Sequence, residues 1–190
     1  YEGLRKSVGN AFVLGLIVTV IMTIASLLGM DWLLRIMQTP EDIFDMSKEY
    51  IVIICAGIIF TTLYNLTASI LRAVGNSKVP LYFLILSALL NVVLDLFFII
   101  VLSWGVAGAA IATVISQGVS GILCLVFLLT KVDILKLKKE HFKLDPVSAR
   151  IQLNIGIPMA LQFSITAIGT MILQAALNLL GSTVVASYKA

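Results

Sequence analysis

Charge is what this sequence has least of. Asp, Glu, Lys and Arg make up 12% of its 190 residues and hydrophobic types 60%, whereas a soluble domain is about 25% charged and at most about half apolar. With a mean hydropathy of +1.08, a chain of this kind is excluded from the water-surrounded globular class. Cysteine is scarce as well. Cys55 and Cys124 stand singly inside apolar runs, which excludes a disulfide framework or a thiolate metal site and leaves them as small buried hydrophobes. The single histidine, His141, falls in a Lys-rich stretch and is expected to be a solvated loop residue. No metal and no cofactor are therefore expected. Strict alternation of period two is missing, which excludes a β-barrel. So is the pattern of a cleavable leader, one short apolar stretch ahead of a soluble domain.

What the chain has instead is long apolar runs. A helix needs about 20 mainly apolar residues to cross a hydrocarbon core of roughly 30 Å, because there the backbone must satisfy its own hydrogen bonds. Runs 8–30, 50–71, 81–103 and 106–130 meet that length, and a fifth, 151–180, is more polar but uncharged. The fold class is all-α: a polytopic α-helical membrane protein. The chain opens in a charged turn at Tyr1–Lys6 and closes at Ser187–Ala190, and reads as a segment of a longer protein.

Basic residues in short loops stay on the cytoplasmic side. Arg5, Lys6, Arg72, Lys78, Lys131, Lys136, Lys138, Lys139, Lys143 and Arg150 fall on one side of alternate spans, while Asp31, Glu41, Asp42, Asp45 and Glu49 outnumber Arg35 and Lys48 on the other. The first span is thus expected to run outward from the cytoplasm. Trp32, Tyr50 and Trp104 then sit at the outer boundary and Tyr82 at the inner one, the headgroup level that aromatic rings with a polar edge prefer. Thr39-Pro40-Glu41-Asp42 reads as a helix start, with Thr at the N-cap and Pro first in the helix. In Arg72–Pro80, Gly75 or Asn76 can take a positive φ and Pro80 suits a helix N-terminus, so spans two and three are expected to pack antiparallel. Residues 131–150 form a long basic connection of the kind that joins two halves of a membrane protein. That connection can also meet anionic headgroups, at about 1 kcal/mol per basic residue.

Asp95 is the one ionisable residue well inside a predicted span, where insertion costs at least about 2.5–3.5 kcal/mol. It lies roughly 21 Å along the helix from Leu81, at 1.5 Å per residue. Ser87 and Asn91 share its helical face. A carboxyl group withdrawn from water can hold a proton or offer oxygens to a small cation; the competing reading is a neutral hydrogen-bond partner between helices. Asn65 interrupts span two, and Thr113, Ser116, Gln117 and Ser120 interrupt span four; each can serve a site or bond across helices. Gly105, Gly108, Ala109, Ala110, Ala112, Gly118 and Gly121 give span four a surface for close backbone approach. In span five, Asn154, Pro158, Gln162, Thr166, Thr170, Gln174 and Asn178 recur at every fourth position and wind around the helix, so part of the series is expected to face a cavity. Pro158 is a candidate bend or a simple structural kink.

With these residues in hand, the chain resembles the multidrug and toxic compound extrusion (MATE) family of antiporters. The segments that carry the resemblance are Thr39-Pro40-Glu41, Ala68–Pro80, Leu90–Asp95 and Gly105–Thr113. The resemblance implies a fragment of a twelve-helix, two-lobe transporter. Residues 1–130 are then the rest of the N-terminal lobe, 131–150 the cytoplasmic interlobe linker, and 151–190 the start of the C-terminal lobe. It further implies that Asp95, Asn91, Asn65 and Thr113 form a proton or cation site, which in the family is completed by a carboxylate on helix one. Ala68 stands where some relatives have a further Asn. Gln117, Gln162, Thr166, Thr170 and Gln174 are the substrate-cavity candidates. The implied activity is export of amphipathic organic cations in antiport with H+ or Na+, by a monomer in the bacterial inner membrane, surrounded by lipid and without nucleic acid. The alternatives are a lipid-linked oligosaccharide flippase of the same superfamily, whose cavity would be more cationic, and a non-transporting membrane scaffold. An enzyme would need two or more positioned catalytic groups, and one buried carboxylate with no buried His argues against it.

Overall fold

A run of apolar side chains with few internal breakers has one way to hide its peptide groups from lipid, and the computed structural model takes it throughout. It describes residues 2–36, 41–132, 135 and 139–179. The helices are α1 (Glu2–Ile36), α2 (Glu41–Ala73), α3 (Lys78–Leu96), continued by a π turn at Phe97–Val101, α4 (Gly105–Lys131) and α5 (Pro146–Leu179); a 3-10 turn, Lys139–Phe142, precedes α5. Each of the five carries a segment long and apolar enough to cross a membrane. The protein is a multi-pass helical membrane protein. The expected N-cap at Thr39 and Pro40 lies outside the described residues, as do Asp133, Lys136 and Lys138 of the basic connection.

The chain divides at Asp145 and Pro146 into two compact units. In the first, α4 packs against both α2 and α3, and α1 packs against α2. The turn between α2 and α3 does reverse the chain, but α2 and α3 touch only slightly, because α4 takes the larger face of each. Small residues explain why. A Cβ on Gly121 would stand 3.2 Å from the Phe60 carbonyl oxygen and 3.3 Å from the Tyr64 nitrogen, and Gly57 faces Val114 as closely from the α2 side. Only residues without a side chain let two helix backbones approach so nearly.

The α2–α3 turn is a Schellman motif. Gly75 takes φ +87°, the left-handed conformation that a Cβ disfavours. It donates to the Arg72 carbonyl (3.0 Å), and Asn76 N–H reaches the Leu71 carbonyl (2.9 Å), closing the orphan carbonyls of the helix end. The Asn76 side chain accepts from Val79 N–H at 3.2 Å, and Pro80 stands in the first turn of α3, where its missing N–H has no intrahelical use. Tyr64 ties the hairpin by donating to the Pro80 carbonyl at 3.0 Å. Tyr64→Phe keeps the ring and loses this bond, so thermal unfolding in detergent should show a loss of about 1 kcal/mol.

The core lies at this end of the unit, where Val8, Tyr64, Ala68, Leu71, Cys124, Leu128 and Leu135 cluster. Cys55 and Cys124 are both buried and free. His141 is a correction: it is 5% exposed, not solvated. The connection after α4 folds back onto α1 instead of hanging in water. Leu135 is fully buried, Phe142 tilts against Phe12 with ring centroids 6.1 Å apart, and Gly9 lies against the backbone carbonyl of His141. The fully buried Asn10 accepts from Asp145 N–H at 3.0 Å. At the opposite end Lys48 pairs with Asp31 at 2.8 Å, an exposed pair of the kind that adds little stability.

Candidate functional site

Along α3 the polar residues Ser87, Asn91 and Asp95 fall on one face, four residues apart, and burial confirms that this face is inward. Ser87 is buried, and Asn91 and Asp95 are half-buried, while Leu89, Val92 and Val93 between them are exposed as lipid-facing residues would be. The partner surface is α4. Asn91 Nδ2 donates to Thr113 Oγ1 at 3.3 Å, and the Thr113 hydroxyl in turn donates to the Ala109 carbonyl at 3.0 Å. With its nitrogen committed, the Asn91 amide presents an oxygen one turn from Asp95.

Asp95 Oδ1 is buried and has no hydrogen-bond partner. A carboxylate oxygen in that position is costly unless something offsets its charge. A proton on the carboxyl group or a small cation beside it would do so. The oxygens of Asp95, Asn91 and Thr113 are the hard donors such a cation prefers. No group of three or more His, Cys, Asp or Glu is found among the described residues, so a transition-metal reading has no support in this set.

Asn65 belongs to α2. It is exposed there, and its Nδ2 donates to the Thr61 carbonyl of its own helix at 2.9 Å. Ser116 and Ser120 resolve into packing, since both are buried and both bond carbonyls of α4 itself, at 2.7 Å to Ala112 and 3.1–3.2 Å to Gln117 and Ser116. Gln117 is half-buried one turn beyond Thr113. In the second unit Gln162, Thr166 and Thr170 are exposed on α5, with Thr166 bonded to the Gln162 carbonyl (2.9 Å) and Thr170 to that of Ala167 (2.8 Å). The side chains of Gln174 and Asn178 lie outside the described residues. An apolar cavity of about 340 Å³ opens between α1 and α2, lined by Phe12, Leu16, Thr19, Ile59, Thr62 and Phe142 among others. None of the α3 or α4 polar residues reaches it.

Residues 1–97 match the sequence model of the MatE family. The chain belongs to that family. A similar protein is the probable multidrug resistance protein YpnP of Bacillus subtilis (strain 168), 34% identical over 164 residues that cover 84% of this chain and 36% of YpnP. Two solved structures are similar at 28% identity. A MATE in complex with MaD3S has a TM-score of 0.88 over 99% of this chain and 43% of that one. An outward-facing multidrug resistance MATE family transporter of the MOP superfamily has 0.83 over 92% and 39%. The chain thus spans less than half the length of these MatE proteins.

Residue-type reasoning passes over Asn10, and it places Trp104 at the membrane boundary without its ring partner Phe98. An amide inside the first apolar run was a usable signal for Asn10, because a polar group there needs a partner. The ring pair had none, since its stacking depends on how the chain turns after α3. If the Asn91–Thr113 bond orders the site, Thr113→Val weakens ion binding by several-fold to about tenfold, and Thr113→Ser restores it. Titrating the coupling ion in a transport assay checks both.

Proposed function

We propose that these residues supply the ion-coupling part of a secondary active efflux transporter that exports amphipathic organic cations in exchange for H+ or Na+. The observation that carries the reading is the buried, unpartnered Oδ1 of Asp95 one turn from the Asn91–Thr113 pair. A site of this kind gains most from an ion, and an ion that binds two conformations unequally shifts the balance between them. Asn65 and the helix-one carboxylate implied by the family resemblance would join the site in another conformation or in the complete protein. Residues 1–130 serve as the rest of an N-terminal lobe, 131–150 as a cytoplasmic interlobe linker and 151–190 as the start of the second lobe. Gln117, Gln162, Thr166, Thr170 and Gln174 face the exported molecule in this reading. The protein works as a monomer in the bacterial inner membrane, with no cofactor and no catalysis.

The test uses a full-length transporter containing this sequence, reconstituted in proteoliposomes, with efflux of a cationic dye followed under an imposed H+ gradient and then an Na+ gradient. Efflux under one of them supports antiport and identifies the ion. Absence of efflux under both sinks the reading and moves the assignment to a lipid-linked oligosaccharide flippase of the same superfamily.

A further inference from the structure

Directly after Asp95 the third span stops being an α-helix. Phe97–Val101 form a π turn, closed by Leu102 N–H on the Phe97 carbonyl at 3.1 Å. The α-helical ladder that would otherwise hold Asp95 in register from beyond is interrupted there. Something else must hold the end of α3. Ser103 and Gly105 both take φ 54°, a left-handed backbone that a residue with a Cβ such as Ser103 adopts only at a cost. This pair of reversals brackets Trp104 and folds it back onto the helix it has just left. Its N–H reaches the Phe98 carbonyl at 3.0 Å, and its indole stacks on the Phe98 ring, centroids 5.2 Å apart and planes 4° from parallel.

The stack is seated on Gly108 of α4. A Cβ there would stand 2.9 Å from the Phe98 Cβ, 3.2 Å from the Trp104 Cβ and 3.3 Å from the Phe98 carbonyl carbon. These are atoms fixed to the backbone, so no rotamer change relieves them. Phe98 lies three residues from Asp95, on the same side of α3. Gly108 adjoins Ala109, whose carbonyl holds the Thr113 hydroxyl. Asp95 is therefore within one helical turn of this contact along the third span, and Thr113 within two turns along α4.

We propose that Phe98, Trp104 and Gly108 form a positioning clasp that sets the distance between Asp95 on α3 and Thr113 on α4 across the α3–α4 seam. The clasp rests on the reading of Asp95 as the ion-binding group. None of its three residues touches the ion; they act through the backbone of α3. A looser or displaced clasp leaves transport possible and makes the site harder to fill.

The experiment measures dye efflux by the full-length transporter in proteoliposomes at graded Na+ and at graded pH, extracting the half-saturating ion concentration and the maximal rate separately. Gly108→Ala is expected to raise the half-saturating concentration about tenfold while the maximal rate stays within about twofold. Trp104→Ala behaves the same way, and Trp104→Phe, which keeps a stacking ring, returns close to the parent. Gly121→Ala is the packing control: it presses on the α2 backbone, and so lowers the melting temperature without moving the half-saturating concentration. Unchanged half-saturation in both Gly108→Ala and Trp104→Ala, with Asp95→Asn inactive, overturns the clasp and leaves the ion site standing. An equal shift in Gly121→Ala overturns it too, as a general packing effect. Full gradient-driven efflux by Asp95→Asn removes the ion site itself and the clasp with it. Should Gly108→Ala fail to fold, the Trp104 pair decides by the same criterion.

Discussion

Asp95→Asn is expected to abolish gradient-driven efflux by the full-length transporter while the protein still inserts and folds. The substitution keeps the shape and removes the charge. Because Asp95 Oδ1 has no partner, replacement by an amide breaks no hydrogen bond to that atom, and relieves the cost of holding a charged group there. Stability in detergent is therefore expected to stay level or to rise, by about 1 kcal/mol. Coupling fails for the same reason. An amide neither takes up and releases a proton nor offers a cation a full negative charge, so in the proposed mechanism the ion would lose its differential affinity for the two conformations. Asp95→Glu separates charge from reach, since it restores the carboxylate one methylene further out; partial efflux with weaker ion binding is expected. Comparing gradient-driven efflux with thermal unfolding across the two variants checks the account. Loss of folding in Asp95→Asn would instead mark the carboxyl group as structural cement between helices.

Gly9→Val is expected to damage the fold more than Tyr64→Phe or Gly121→Ala. Gly9 lies against the backbone carbonyl of His141, so any side chain at position 9 must push the 3-10 turn off α1. The displaced turn carries Phe142 away from Phe12 and strains the bond from Asp145 N–H to the fully buried Asn10. Overpacking of this kind costs about 1–3 kcal/mol, and loss of the Asp145 N–H donor to the buried Asn10 oxygen adds about 1–3 kcal/mol more. A clear fall in the melting temperature is the first readout. The second is chemical: a cysteine placed at position 141 by His141→Cys is shielded from a membrane-impermeant maleimide in the parent and labelled readily once Gly9→Val is added. A protein that melts unchanged, with position 141 still shielded, would show that the strap has room to spare.

His141 also shows where residue-type reasoning stopped. A histidine in a Lys-rich connection looks solvated because its neighbours in sequence are. Its neighbours in space belong to the first three turns of α1, brought together across more than a hundred residues by one glycine, one amide and two aromatic rings. The same distinction separates Asn91 from Asn65. Both are amides in apolar runs, and although a spacing of four groups Asn91 with Ser87 and Asp95, it does not tell which amide crosses to another helix. In the fold Asn91 crosses to Thr113 on α4, while Asn65 turns back to its own helix.

Five membrane-spanning helices, the turn at Gly75 and the polar face of α3 were all determined by the sequence itself, because each follows from short-range rules. Apolar length dictates a span, a residue without a Cβ permits a left-handed turn, and a spacing of four puts Ser87, Asn91 and Asp95 on one side. Even the small residues of α4 announced that some backbone would come close. Which backbone it would be was decided by tertiary structure. Gly57, Gly118 and Gly121 let α4 and α2 settle against each other, and Gly108 took the clasp at the end of α3, because helix pairing depends on shape matched over whole faces, not on any local pattern. That choice placed α4 between two helices adjacent in sequence, and with it set Thr113 opposite Asn91 and left the oxygen of Asp95 without a partner.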